Sequence, residues 1–392
     1  MSFEIQALAT ATPQHGIDQV GAAEFATTIC CETEQQRRLL AGLYRRAGVA
    51  YRHSVLLESP TPPLAATEEP AVDSRAVHDG AVSTAATPQA VPRTRAQQSF
   101  FEPASDSEDC GPTTTQRMAA YERHAASLAH RAADLALQRS PYAAEEITHL
   151  ITVSCTGFAA PGVDLSLIRS CGLRPDVART HVGFMGCHGA LNGLRVAKGY
   201  ADSDSDARVL LCAVELCTLH HQYGWHPDRI VSNSLFADGA AAVVGAGSPA
   251  KSHWRVTSSG STVVPGTEEA MTWNVRDHGF EMTLSPQVPD AIRDELKPWL
   301  TRWLGARGHS LESIGSWAVH PGGPRILRAC EEALDFHDDQ LRESRQVLAD
   351  YGNMSSPTVL FILERLLERS SPLPCVMLAF GPGLTVEAAL IE

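Results

Sequence analysis

The stretch "HVGFMGCHGALNGLRVAKGY", residues 181–200, places a thiol where chemistry is easiest. Cys187 lies between Gly186 and Gly189, with a short strand-like run before it and helical periodicity after it. A helix N-terminus offers unpaired N–H groups and the positive end of a dipole, and both favour a thiolate. Flanking glycines let a carbonyl approach sulfur and backbone together. This is the geometry of a nucleophile elbow with Cys in place of Ser; a Cys packed at a tight turn is the structural alternative. Two partners stand in the second half of the chain. His320 ends the apolar run of "WAVHPGGP", where Pro321, Gly322 and Gly323 force a turn. A His so placed can pair with a thiol. Asn353, in "DYGNMSSPTV", is either a helix cap or an amide donor to a developing oxyanion.

These residues need strands and helices to carry them. "FEIQALAT" reads as a first strand, and Gln19 to about Arg46 as helical. "TTTQRMAAYERHAASLAHRAADLAL" is a long Ala-rich amphipathic helix with a Thr cluster as N-cap. Strands and helices then alternate: "ITHLITVSC", a helix near Asp164 to Cys171, "THVGF", the helix after Cys187, and "ARVLLCAVEL". Nearly continuous apolar strands of this kind are those of an α/β protein. "GAAAVVGAG" and "HWRVTSSGSTVV" are further strands. In the second half, "SIGSWAVHPGG" is a strand, "GPRILRACEEAL", the stretch Asp338 to Tyr351 and "NMSSPTVLFILERLLER" are helices, and "PCVMLAFGPGLTVEAALIE" is a closing hairpin. Residues 58–98 are Ala, Pro, Thr, Ser and charge without periodicity, an expected mobile insertion. The chain therefore divides into residues 1–245, with the nucleophile, and 246–392, with the His and Asn.

The 392 residues carry 32 Lys and Arg against 45 Asp and Glu, a net charge of -13. That balance argues against nucleic-acid binding, which depends on cationic neutralisation of phosphates. "MSFEIQALATATP" lacks the features of a signal peptide, and no run of eighteen apolar residues predicts membrane insertion. The ten cysteines form no CxxC pair, and Cys30, Cys31, Cys171, Cys212, Cys330 and Cys375 read as small buried hydrophobes of a cytoplasmic protein. Cys217, His220 and His221 lack the further ligands that a metal site needs.

The Cys at a Gly-lined elbow, "HPGGPRIL", "YGNMSSPTVLFIL", "LFADGAAAVV" and "FGPGLTVE" occur in the order found in one family. The chain resembles the type III polyketide synthases, the chalcone synthase-like branch of the thiolase-like condensing enzymes, over about 340 residues. Ketoacyl synthases usually carry an Asn-containing string after the second His rather than "PGGP". The resemblance implies a thiolase-like α/β fold, two βα-rich halves in a layered α-β-α-β-α arrangement. It makes Cys187 the nucleophile and His320 and Asn353 its catalytic partners. Phe236 matches a gating phenylalanine, and Met282 falls where many plant-type members carry a second Phe. Cavity positions fall on Cys155 with Thr156 beside it, Cys217, His220, Trp273 in place of a glycine, and Ser355. Arg46 matches a residue that holds the CoA phosphates, with Arg37, Arg38 and Arg45 as substitutes; Arg325 lies near the expected tunnel mouth. The implied substrates are an acyl-CoA starter and malonyl-CoA, condensed iteratively without metal or redox cofactor, in a homodimer whose loop "GFAAPGVD" completes the partner's cavity. Ala160 replaces a protruding Met there. A single-condensation ketoacyl synthase and a catalytically silent acyl-CoA-binding homologue are the alternatives.

Overall fold

The computed structural model describes residues 2–58, 97–247, 254–337 and 339–392. The N-terminal half contains β1 (Phe3–Ala11), β2 (Gly16–Asp18), α1 (Gln19–Cys30), α2 (Glu34–Arg46), β3 (Tyr51–His53), α3 (Thr114–Arg139) and β4 (His149–Ser154). It continues through α4 (Val163–Cys171), β5 (Ala178–Gly183), α5 (Gly189–Ser203), β6 (Arg208–Leu216), α6 (Pro227–Leu235) and β7 (Asp238–Ala246). The second half runs β8 (Arg255–Val263), β9 (Met271–Arg276), β10 (Gly279–Leu284), α7 (Val288–Gly305), β11 (Ser316–Val319) and α8 (Pro324–Leu334). It ends with α9 (Arg342–Tyr351), α10 (Thr358–Glu368), β12 (Cys375–Gly381) and β13 (Thr385–Ile391).

Nine strands form one mixed sheet in the order β11-β12-β13-β8-β1-β7-β6-β4-β5, its two halves joined where β1 meets β8. Alternation along the strands produces the layers. In β6, Val209, Leu211 and Ala213 face a core shared with α5 and α10, while Leu210, Cys212, Val214 and Leu216 face α3. In β12, Cys375, Met377 and Ala379 face the same central core, while Val376, Leu378 and Phe380 face α7 and α8. Helices α5 and α10 thus lie between the two halves of the sheet, with α3 and α4 outside one half and α7 and α8 outside the other: the thiolase-like order of helix and sheet layers. Strands covered on both faces need continuous apolar sequence, which is how "ARVLLCAVEL" reads. On α3, Ala120, Ala125, Ala129, Ala132, Ala133 and Ala136 are buried, so small side chains bring the helix axis close to the sheet.

The structure departs from the sequence expectations at several points. Residues 19–46 form two helices, not one. The chain breaks after Cys30, and Thr33 starts α2 with a capping box to Gln36. The helix placed at 338–351 begins only at Arg342. Cys31 and Cys171 are half-buried rather than core. Most of the stretch 58–98 lies outside the described residues; its ends, Glu58 and Gln97, pair with each other through two backbone hydrogen bonds.

Candidate active site

Cys187 sits on a single helical turn, Gly186–His188, between β5 and α5. Two positive φ angles make this corner, 58° at Phe184 and 66° at Gly186. A β-carbon on Gly186 would stand 2.6 Å from the Pro382 ring, so this position requires glycine both for conformation and for space. His320 follows β11, and its N–H donates to the Leu378 carbonyl of β12 at 2.8 Å. The turn through Gly323 then starts α8 with Pro324. Asn353 follows Gly352, which ends α9 at φ 74°. Its backbone is clamped by Leu235 and Ala237, and its side-chain oxygen accepts the Ser355 N–H at 2.8 Å. That leaves the amide nitrogen to donate, and both Asn353 and Ser355 act on the Cys187 sulfur.

All three residues are buried. Burial pushes the Cys187 thiol up to about 11, against hydrogen bonds from Ser355 and Asn353 that lower it. Burial, with the His188 ring nearby, takes His320 down to about 3. Burial thus opposes the thiolate that the helix N-terminus favours and opposes a protonated His320. Neither ring nitrogen of His320 has a hydrogen-bond partner. A buried imidazole with both nitrogens vacant is costly unless something else fills them.

Cys187 opens onto a narrow cavity of about 20 Å³. Cys155, Thr156, Cys217, Phe236, Trp273, Met282 and Ser355 line it. Trp273 and Met282 are directly opposed in the β9–β10 hairpin, and the indole N–H donates to the Cys155 carbonyl at 2.7 Å. His220 lines an adjoining cavity of about 10 Å³. Its Nδ1 accepts the Phe280 N–H and its Nε2 donates to the Thr156 carbonyl, so the ring is a neutral bracket. Arg46 and Arg325 line neither cavity and are exposed. Gly48 lies against Pro324, which brings the end of α2 and the start of α8 close together. Among the described residues, no group of three or more His, Cys, Asp or Glu is placed to hold a metal ion.

Sequence reasoning missed Glu215. This fully buried carboxylate accepts from the Cys155 and Thr156 N–H groups, the Thr156 hydroxyl at 2.7 Å and the Ser356 hydroxyl at 2.6 Å. It anchors the cavity wall beside Cys187. The signal was one acid inside the otherwise apolar strand "RVLLCAVEL". His188 was also passed over; its Nδ1 meets Asn192 at 2.6 Å and its ring packs against Gly381.

Comparison with known proteins agrees with this geometry. The family models for the N-terminal and C-terminal domains of chalcone and stilbene synthases match residues 100–249 and 255–392. The 1,3,6,8-tetrahydroxynaphthalene synthase of Streptomyces peucetius is 32% identical over 395 residues, covering 99% of this chain and 92% of that one. An alpha-pyrone synthesis polyketide synthase-like protein of Mycobacterium tuberculosis is 34% identical over 289 residues, 71% of this chain and 74% of the relative. The crystal structure of PKS-I from the brown alga Ectocarpus siliculosus superposes with a TM-score of 0.84 at 27% identity, over 100% of this chain and 99% of that one. With both halves matched and the cysteine, histidine and asparagine strings set on one α/β frame, the chain belongs to the chalcone and stilbene synthase family, the type III polyketide synthases.

Proposed function

We propose that Cys187 is the acyl-accepting nucleophile of an iterative, malonyl-CoA-dependent synthase, with His320 and Asn353 as its catalytic partners. The observation that carries this reading is the pair of ring nitrogens on buried His320 that have no hydrogen-bond partner among the described residues, on a ring close enough to feel His188, the residue after a Cys187 that opens onto a cavity. His320 takes the thiol proton as sulfur attacks the starter thioester. His320 and the Asn353 amide donate to the tetrahedral oxyanion, and CoA leaves with the proton. Malonyl-CoA then binds at the same place. Carbon dioxide departs, the same donors stabilise the enolate, and its carbon attacks the acyl–Cys187 thioester to release the thiolate. The lengthened chain returns to Cys187 for further rounds and closes to a pyrone, resorcinol or related ring. The narrow cavity supports a short chain, and lactonisation to a pyrone suits its lack of room for a folded one. The names of the mycobacterial and Streptomyces relatives point to pyrone and hydroxynaphthalene products.

Cys155, Thr156, Cys217, His220, Phe236, Trp273, Met282 and Ser355 shape this cavity, and Arg46 and Arg325 receive the CoA phosphates at the rim. The unit 1–245 supplies the nucleophile and 246–392 the His and Asn. No metal or redox cofactor takes part. The protein acts as a cytoplasmic homodimer. β5 ends the sheet, and exposed Phe158, Phe184 and Met185 cluster beside the loop that carries Ala160, which supports that edge as the contact. No helix among the described residues is long and apolar enough to cross a membrane.

The test is purified protein with malonyl-CoA and acyl-CoAs from acetyl to stearoyl plus coumaroyl, read by mass spectrometry beside Cys187→Ala. Products extended by several units, absent in the variant, are expected. A single added unit favours the ketoacyl synthase reading. No product from any starter, with CoA still bound, favours the silent homologue.

A further inference from the structure

A larger pocket, of about 460 Å³, opens between α1 and the chain around residues 54–57 and 97–101. It does not contain Cys187, and His221 separates it from the cavity beside His220. Its walls are mainly apolar, with Phe25 and Phe101 each within about 6 Å of the His221 ring centroid. Its polar floor is unusual. Arg52 is 2% exposed and His221 9% exposed; both line the pocket, and among the described residues Arg52 Nε and His221 Nε2 have no hydrogen-bond partner. Buried donors left vacant in this way are uncommon and costly.

The charge balance points the same way. Arg52 spends its two terminal nitrogens on the carbonyls of Asn233, Ser234 and Phe236 and on the Gln19 side chain. Its one nearby carboxylate is Asp238, already engaged by Thr218 and the Val55 N–H. Behind the wall Arg117, fully buried, stacks 5.3 Å from the Phe101 ring, donates to the His221 carbonyl and leaves its second terminal nitrogen vacant. Among the described residues no carboxylate balances Arg117; its electrostatic partner is the Tyr223 phenol. Two buried guanidiniums thus face one buried carboxylate, and the remaining acid, Glu24, is exposed at the rim. Taking a guanidinium out of water without an anion is unfavourable, and a bound anion relieves it.

We propose that this pocket is a second ligand site, for a small amphipathic carboxylate whose apolar body lies between Phe25 and Phe101 and whose carboxylate lies against Arg52 and His221 in the pocket lining, offsetting the buried guanidinium charge. A planar aromatic acid matches the shape and the aromatic walls. The site is separate from the reaction at Cys187 and does not depend on it.

The probe is 2-naphthoate, with 2-naphthamide as a neutral analogue of similar shape, titrated calorimetrically into the full chain. One naphthoate per chain is expected, bound at least tenfold more tightly than the amide. Thr28→Trp, at the exposed rim, and Ala22→Phe, on the wall, should each remove binding while product formation from malonyl-CoA continues. Arg52→Gln should remove the preference for acid over amide; should it fail to fold, the rim and wall variants still decide. Equal affinity for acid and amide, naphthoate binding that survives both filling variants, or no saturable binding would each overturn the proposal.

Discussion

Replacing Trp273 by Ala should lengthen the product. The indole is half-buried in the Cys187 cavity, set edge-on to His220 at 5.5 Å and to Phe280 at 5.8 Å, and its N–H holds the Cys155 carbonyl. A Trp side chain covers roughly 150–250 Å² when buried. Half of that, about 100 Å², at about 25 cal/mol per Å² gives a loss near 2.5 kcal/mol. If the site does not collapse, the vacated space adds about 24 cal/mol per Å³, so roughly 100 Å³ of new cavity would about double that loss. The present cavity is about 20 Å³, so such a gain would exceed it several-fold. At about 30 Å³ per water, the gain equals the room of roughly three waters, close to one ketide unit of three heavy atoms. Trp273→Ala should therefore shift the dominant product by one malonyl-derived unit and lower the urea midpoint, while acyl loading on Cys187 persists. Trp273→Phe keeps most of the bulk and loses only the hydrogen bond, so its product should match the wild type. Mass spectrometry of products and of the acyl-enzyme reads both effects. An active Trp273→Ala enzyme with an unchanged product mass would refute the reasoning, because the indole would then not limit the chain.

Glu215→Gln should cost about 3 kcal/mol, since an amide cannot accept from every donor the carboxylate now serves and at least one buried N–H or O–H loses its partner. A urea midpoint within about 0.5 kcal/mol of wild type would refute that role. The same carboxylate raises the Cys187 thiol, so the variant should also be alkylated faster by iodoacetamide. In the unsubstituted resting protein, a thiol near 11 is ionised in only about one molecule in ten thousand at pH 7. The alkylation rate should then climb about tenfold per pH unit between 7 and 10, since each unit of pH raises the thiolate fraction tenfold well below the pKa. A plateau between pH 6 and 8 would instead reveal a thiolate already paired with protonated His320.

The parts of the site that were legible in the sequence are those whose constraint is local. A glycine elbow, a His before Pro-Gly-Gly and an Asn ahead of two serines each announce a turn at the end of an element, and the structure places Cys187, His320 and Asn353 at three such turns. The break between α1 and α2 was also written locally, in the Thr33–Gln36 capping box, but the surrounding helical residues masked it. Other features arise from pairings across the fold that no local pattern carries. Trp273 enters the cavity because β9 pairs with β10 in a register that sets it opposite Met282; a slip of one residue would turn it outward. Glu215 draws donors from residues 60 and 141 positions away, so a lone acid in an apolar strand becomes a wall anchor only once β4, β6 and the approach to α10 converge. Arg46 and Arg325 show the reverse. Basic residues at expected positions were easy to notice, yet both are exposed and line neither cavity, and exposed charge gains its meaning only from the ligand it meets. The buried charges carry the opposite lesson. Arg52 and Arg117 attract no notice in the sequence, and only the packing reveals that each has a hydrogen-bonding nitrogen with nothing to bind.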